Sequence, residues 1–219
     1  AIVGGTLPRV CNSRGKALAE KVYAACHCYD EQGRDIGRYD KVHLFDATVA
    51  DSQATYSESS QYAHGSELGL IEWNTCPIGV AVCYDLRFPE YFRHLADKNI
   101  AVTAVPAAFT EVTGEAHWHV LLRARAIENQ MFIVASNQGG AHDAKRVTYG
   151  HSCIIDPWGR VLDEITTGEG IAIAPIDLDV RTQLQSKMPV LSHRSMRNKN
   201  KIDPCQRTVD PSNYTESVN

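Results

Sequence analysis

The chain has 219 residues, 43% of them apolar and 22% charged, which suits one soluble domain with a substantial core. A net charge of −4 and an isoelectric point near 6.1 give no electrostatic basis for a nucleic-acid partner or an anionic membrane surface. No apolar run approaches the ~18 to 20 residues of a membrane span, and the seven cysteines are odd in number and irregularly spaced, which argues against a disulfide framework and for a reducing cytoplasm.

The chain opens on Ala1-Ile2-Val3-Gly4-Gly5, an apolar strand over Ile2 to Gly4 without initiator methionine, leader or capping signal, so the start reads as cut. A second strand spans Lys21 to Tyr29. Within it Cys26-His27-Cys28 has metal-ligand residue types, but alternate strand residues share a face, so the thiols read as packing residues and neither metal nor cofactor is expected. Asp30-Glu31-Gln32-Gly33-Arg34 has hairpin-turn chemistry, and the strand from Ile36 to Tyr39 then runs to Lys41 and into a loop. Glu58 lies in the polar stretch Tyr56-Ser57-Glu58-Ser59. Strands from Gly69 to Trp73 and Ile78 to Cys83 precede a helix at about 88 to 98, opened by Arg87-Phe88-Pro89-Glu90 with Pro in its first turn.

The strand from Ala101 to Val105 delivers Phe109-Thr110, and a helix at about 115 to 130 follows, with Trp118, Leu121 and Leu122 forming an apolar stripe. Strands from Met131 to Ser136, His151 to Asp156, Val161 to Glu164 and Gly170 to Ile176, and a short helix from Asp177 to Gln185, complete the pattern. Asp156-Pro157-Trp158-Gly159-Arg160 is a second hairpin turn, so part of the sheet should be antiparallel. The order gives an α/β domain over residues 1–197, with mixed sheets and helices on their outer faces, and a polar tail without a core over 198–219.

Chemistry concentrates at Cys83. The apolar run before it and the helix start after it place the thiol at a strand-to-helix junction, where first-turn N–H groups can stabilise a thiolate or an oxyanion. Phe109 and Thr110 follow a strand end and are candidates for lining the same pocket. Arg87 has two readings, a first-turn ion pair with Glu90 or bidentate capture of a substrate carboxylate. His43 and His151 raise a Cys–His hydrolase of papain type as a rival mechanism, but the cysteine lacks that family's context.

Lys41-Val42-His43-Leu44-Phe45-Asp46, Cys83-Tyr84-Asp85-Leu86-Arg87-Phe88-Pro89-Glu90, Thr113-Gly114-Glu115-Ala116-His117-Trp118, Arg123-Ala124-Arg125-Ala126-Ile127-Glu128-Asn129 and Tyr149-Gly150-His151-Ser152 together resemble the nitrilase superfamily of carbon–nitrogen hydrolases, in its branch of deaminated-glutathione amidases and omega-amidases. The resemblance covers residues 1 to about 197. It implies a nitrilase-like α-β-β-α sandwich, N-terminally truncated here, that pairs into a homodimer or larger homo-oligomer. It implies catalysis by Cys83 as nucleophile, Lys41 as the catalytic lysine, Glu58 as a second glutamate and the Tyr84 N–H as oxyanion donor, with Arg87, Phe109 and Thr110 toward the substrate. The family's first glutamate, the general base, would precede Ala1. The implied reaction is hydrolysis of a small carboxylate-bearing linear amide through a cysteine thioester, with activity of the 219 residues alone lowered roughly 10² to 10⁴-fold or absent. The other outcome is a non-catalytic remnant or scaffold of the same fold. His119 stands where relatives of this branch carry glutamate, which puts local hydrogen bonding in question.

Overall fold

The computed structural model describes residues 1–51, 53–74, 76–143 and 146–195. The tail expected over 198–219 lies outside the described residues. In chain order come β1 (Ile2–Arg9), β2 (Val22–Tyr29), β3 (Asp35–Asp40), β4 (Asp46–Thr48), β5 (Thr55–Ser57), β6 (Tyr62–Ala63), β7 (Gly69–Ile71) and β8 (Ile78–Val80). Then follow α1 (Pro89–Asp97), β9 (Val102–Ala107), α2 (Glu111–Asn129), β10 (Phe132–Asn137), β11 (Gly139–Ala141), β12 (Val147–Tyr149), β13 (Ser152–Ile155), β14 (Val161–Ile165) and α3 (Leu178–Lys187).

Two sheets form the body. β1, β2 and β3 pair antiparallel, with β6 parallel beside the start of β2. The six-stranded sheet runs β14-β13-β10-β9-β8-β7, parallel through β8, β9 and β10 and antiparallel at both margins. Parallel strands are covered on both faces, which is why the segments around Val80, Val105 and Ile133 read as near-continuous apolar runs rather than alternating ones. The sheets face each other through β3 against β7 and β1 against β9, and one core joins Cys26, Cys28 and Tyr39 of the first sheet to Val80, Val105 and Ile133 of the second.

Two antiparallel pairs, β2 with β3 and β13 with β14, are closed by the two turns anticipated. Asp30 Oδ1 accepts from the backbone N–H of Gln32 and Arg34 at 3.0 and 2.9 Å, and Asp156 Oδ1 accepts from Trp158 and Arg160 at 2.9 Å each, so both are Asx-type turns closing hairpins. α1 and α2 bury Phe92, Leu95, Trp118 and Leu122 completely, and Tyr91 ties α1 to the sheet by donating its hydroxyl to Val80 O at 2.6 Å. No described helix packs substantially on the four-stranded sheet.

Two elements differ from expectation. α2 begins four residues early, at Glu111, because Thr110 caps it and accepts from the Thr113 N–H. Gly114 lies inside the helix because a Cβ there would meet Tyr149 Cβ at 2.2 Å; close helix-to-strand approach overrides glycine's poor helix propensity. The strand expected over Gly170 to Ile176 does not form. Pro175 can give no ladder hydrogen bond, Ile171 and Ile173 are 83% and 76% exposed, and the Ile173 N–H is held by the Asp163 carboxylate at 2.7 Å.

Candidate active site

The parallel strands β8, β9 and β10 end on one side of the sheet. There Val82 and Cys83, Ala107 and Ala108, and Asn137 and Gln138 border an open cavity of about 780 Å³, in the position favoured for ligands in α/β sheets. Its opposite wall comes from the loops after β3, with Lys41, Phe45, Tyr56 and Glu58.

Cys83 starts a short 3-10 turn over Cys83–Arg87 and has φ +49°, a left-handed conformation costly for a residue with a Cβ. Asp85 holds the turn in that shape. Fully buried, it accepts at Oδ2 from the Tyr39 hydroxyl at 2.8 Å and the Val82 N–H at 2.7 Å, and at Oδ1 from the His43 N–H at 3.1 Å and its Nδ1 at 2.7 Å. From the other side Arg125 of α2 donates Nε and Nη2 to Leu86 O at 3.0 and 2.8 Å. His43 is therefore a support for the Cys83 turn through Asp85. Asp85 and Arg125 were not singled out in the sequence; the available signal was an acid two residues after the cysteine and an arginine on an apolar helix stripe.

Lys41 is 4% exposed, and its Nζ lies 2.5 Å from Glu58 Oε2, which also accepts from the Phe45 N–H at 2.6 Å. Burying an ammonium demands such a partner. Burial pushes the Cys83 thiol above its ordinary pKa; the Lys41 charge and a hydrogen bond from the Ala108 backbone pull it down without overcoming burial. The resting group is therefore a thiol that needs a base to become a nucleophile.

A narrow recess adjoins the same sulfur. Lined by Tyr84, Arg87, Phe109 and Thr110, it has about 10 Å³ of space, room for roughly one water. Arg87 does not pair with Glu90. Its guanidinium lies 5.2 Å from the Phe109 ring centre and 5.8 Å from that of Tyr84, with Nη1 3.2 Å from His117 Nδ1. The ion-pair reading fails because the first turn is 3-10 and the helix begins only at Pro89, so Arg87 points along the recess rather than down the helix face.

A carbon-nitrogen hydrolase family model matches residues 1–185. The chain belongs to the carbon–nitrogen hydrolase family. It is 42% identical over 165 residues to the deaminated glutathione amidase of Yersinia enterocolitica, covering 75% of this chain and 58% of the relative. It is 43% identical over 178 residues to that of Synechocystis sp. (strain PCC 6803 / GT-S), covering 80% and 65%. The crystal structure of Saccharomyces cerevisiae Nit3, of branch 10 of the nitrilase superfamily, superimposes with a TM-score of 0.73 at 32% identity, covering 86% of this chain and 64% of that one. The chain thus spans less than two thirds of the length of these curated relatives. Family membership and the superimposition establish the superfamily's α/β fold. No described helix is long and apolar enough to cross a membrane.

Among the described residues, one group of ligand-type side chains converges in this carbon–nitrogen hydrolase: His119, His151 and Glu164, whose donor atoms lie within 4.8 Å of one another. Hydrogen bonds already account for them, since Glu164 Oε1 accepts from His119 Nε2 at 2.9 Å and His151 Nδ1 at 2.5 Å. His119 is thereby given an acidic partner from β14, which answers the question its identity raised. The cluster also supports the site, because Trp118 Nε1 donates to His151 O at 2.8 Å while its ring packs on Phe109.

Burial pushes the Glu164 carboxyl up, but the hydrogen bonds and charges of His151 and His119 outweigh it and hold the pKa below the ordinary glutamate value. A depressed folded-state pKa contributes stability that is present above the unfolded-state value of about 4.3 and is lost as pH falls through the lower folded value. Glu164→Gln is therefore expected to melt below wild type near pH 6, and the gap should close below about pH 4. Thermal melts from pH 7 to 3 test this; a gap constant with pH would rule the linkage out.

Proposed function

We propose that this chain carries the catalytic centre of an amidase that hydrolyses a small, linear, carboxylate-bearing amide through a thioester on Cys83. The observation carrying this reading is a buried, glutamate-held ammonium, Lys41, in the same cavity as a partly buried thiol presented at a strained turn. A base takes the thiol proton, sulfur attacks the amide carbon, and the electron pair moves to oxygen. Lys41 Nζ and the Tyr84 N–H, an unpaired first-turn donor, stabilise that oxyanion. Collapse returns the electron pair, breaks the carbon–nitrogen bond and releases ammonia or an amine with one added proton. Water, deprotonated by a base, then cleaves the thioester and restores the thiol. Glu58 holds Lys41 in place.

Arg87 supports a carboxylate on the substrate. Burial lowers its pKa, so its charge is desolvated, and aromatic faces with one histidine are its neighbours in the recess. An incoming carboxylate would supply the missing counter-charge in the planar geometry a guanidinium favours. The relatives named deaminated glutathione amidase support the same substrate class. Family resemblance further supports a homodimer or larger homo-oligomer, and the odd, irregularly spaced cysteines support a reducing cytoplasm.

The test is ammonia release from a panel of ω-amides of keto-dicarboxylic acids, with mass spectrometry of Cys83 adducts, on the 219-residue chain and on a form extended N-terminally to the relatives' length. Turnover by the extended form alone assigns the base outside residues 1–219; turnover by both assigns it within. Lys41→Met is expected to lower kcat by about 10² to 10³-fold in whichever form turns over, the usual loss for one oxyanion donor. Absence of turnover by both forms, each folded, would favour the non-catalytic scaffold.

A further inference from the structure

Cys26-His27-Cys28, the run with ligand residue types along the sequence, is spent in packing, since both thiols are fully buried in the core. Tertiary structure gathers a different donor set from three separate elements. His119 of α2, His151 just ahead of β13 and Glu164 of β14 turn Nε2, Nδ1 and Oε1 toward one another, all within 4.8 Å. None of the three lines the wide cavity or the recess at Cys83. Their side chains are 29%, 22% and 25% exposed, so an ion can reach them from solvent and water can complete its shell.

The fold fixes these groups before any ligand arrives. In the β13–β14 register Ser152 faces Ile165 and Cys153 faces Glu164, which brings His151 beside Glu164. His151 is left-handed, with φ +60°, and its backbone is tied at both ends: its N–H donates to Thr166 O at 3.3 Å and its carbonyl accepts from Trp118 Nε1 at 2.8 Å. Such a conformation costs a residue with a Cβ energy and persists because its neighbours impose it. The His151 ring stacks on Tyr149 with centres 4.2 Å apart, and the His119 ring stands edge-on to it at 5.2 Å. Both histidines donate to the same carboxylate oxygen, at 2.9 and 2.5 Å.

We infer that His119, His151 and Glu164 form a binding site for a zinc ion, independent of the amidase reading. Two imidazole nitrogens and one carboxylate oxygen suit zinc, with water in the remaining position of a tetrahedron, whereas magnesium and calcium take shells of oxygen. Ligand atoms about 2.0 to 2.1 Å from a tetrahedral zinc stand about 3.4 Å apart, so each histidine nitrogen withdraws from Oε1 by roughly 0.5 to 0.9 Å as the ion enters. Partly exposed side chains allow that movement. Each histidine ligates as a neutral imidazole, the proton of its ligating nitrogen passing to the other ring nitrogen or to solvent. The ion then joins α2 to β14. Through Trp118, which is bonded to His151 and packs on Phe109, it also stiffens the wall behind the recess.

The experiment uses Cys83→Ala as the parent, so that the reactive thiol cannot take the metal. Zinc binding is measured by calorimetry on the parent and on the parent carrying His119→Gln or Glu164→Gln. The parent is expected to bind one equivalent, and each added substitution to weaken binding by at least about 10 to 100-fold, the loss known for removing only an outer-shell partner. Zinc should raise the melting temperature of the parent and of neither variant. Cobalt(II) in the parent should give the visible bands of tetrahedral nitrogen and oxygen ligation without a sulfur charge-transfer band. No zinc binding by the folded parent, unchanged affinity in folded His119→Gln, a sulfur charge-transfer band, or magnesium bound as tightly as zinc would each overturn the inference. His119→Gln decides alone if Glu164→Gln does not fold. Amide turnover is read in chains that keep Cys83, so its failure leaves this result untouched.

Discussion

Cys83→Ala is expected to lower amide turnover by at least about 10⁴-fold, because covalent catalysis has no substitute once its nucleophile is removed. The substitution leaves the backbone argument intact. Alanine pays the same left-handed strain at φ +49°, and Asp85 and Arg125 still hold the turn, so melting temperature should move little. The thiol supplies an independent readout. Since burial outweighs the Lys41 charge and raises its pKa, alkylation of Cys83 by iodoacetamide should be slow near neutrality and accelerate above the pH at which a free thiol ionises, about 8.5. Residual turnover in Cys83→Ala above a tenth of wild type would remove the nucleophile assignment.

The largest loss of stability is expected from Asp85→Ala. It orphans the Tyr39 hydroxyl and the Val82 N–H in the core and frees both His43 donors, at roughly 3 to 5 kcal/mol in total. Asp85→Asn keeps one carbonyl acceptor and should lose less than half as much. Urea denaturation of the two variants measures the difference, and a loss below about 1 kcal/mol in Asp85→Ala would show that the hub is dispensable. In a form that turns over, activity should fall with stability, because this carboxylate ties Tyr39 of β3, the loop after it and the Cys83 turn to one point.

The three residues named for chemistry and the four named toward the substrate meet around one sulfur: Lys41 and Glu58 on the wide side, Tyr84, Arg87, Phe109 and Thr110 at the recess. Local signals nominated Cys83, Arg87, Phe109 and Thr110, whereas Lys41, Glu58 and Tyr84 were implied by the resemblance. The apolar run before Cys83 and Pro89 just inside the following helix mark a strand-to-helix junction, and strand ends are where loops carry function. Asp30 and Asp156 likewise announce their hairpins, since an Asx turn is made within five residues.

What lay beyond local pattern depends on partners distant along the chain. The short pairs β4 with β5 and β11 with β12 have no periodicity to read, and the alternating stretch from Gly170 to Ile176 has the right pattern but no strand beside it, because hydrogen-bond ladders are made between segments rather than within them. Gly114 lies just ahead of the helix expected from about 115, and only the close approach of Tyr149, 2.2 Å from where a Cβ would sit, accounts for a glycine inside α2. Of the two readings open for Arg87, the first-turn ion pair falls away once the turn proves to be 3-10 and the guanidinium lies over Phe109. Sequence alone determined the α/β class and nominated Cys83 at a strand-to-helix junction, because both follow from burial periodicity and helix-start signals. Tertiary structure alone decided that Asp85 and Arg125 brace the Cys83 turn, that Glu164 answers His119, and that Cys83 shares one cavity with Lys41 and Glu58, because each of these depends on partners far apart in the chain.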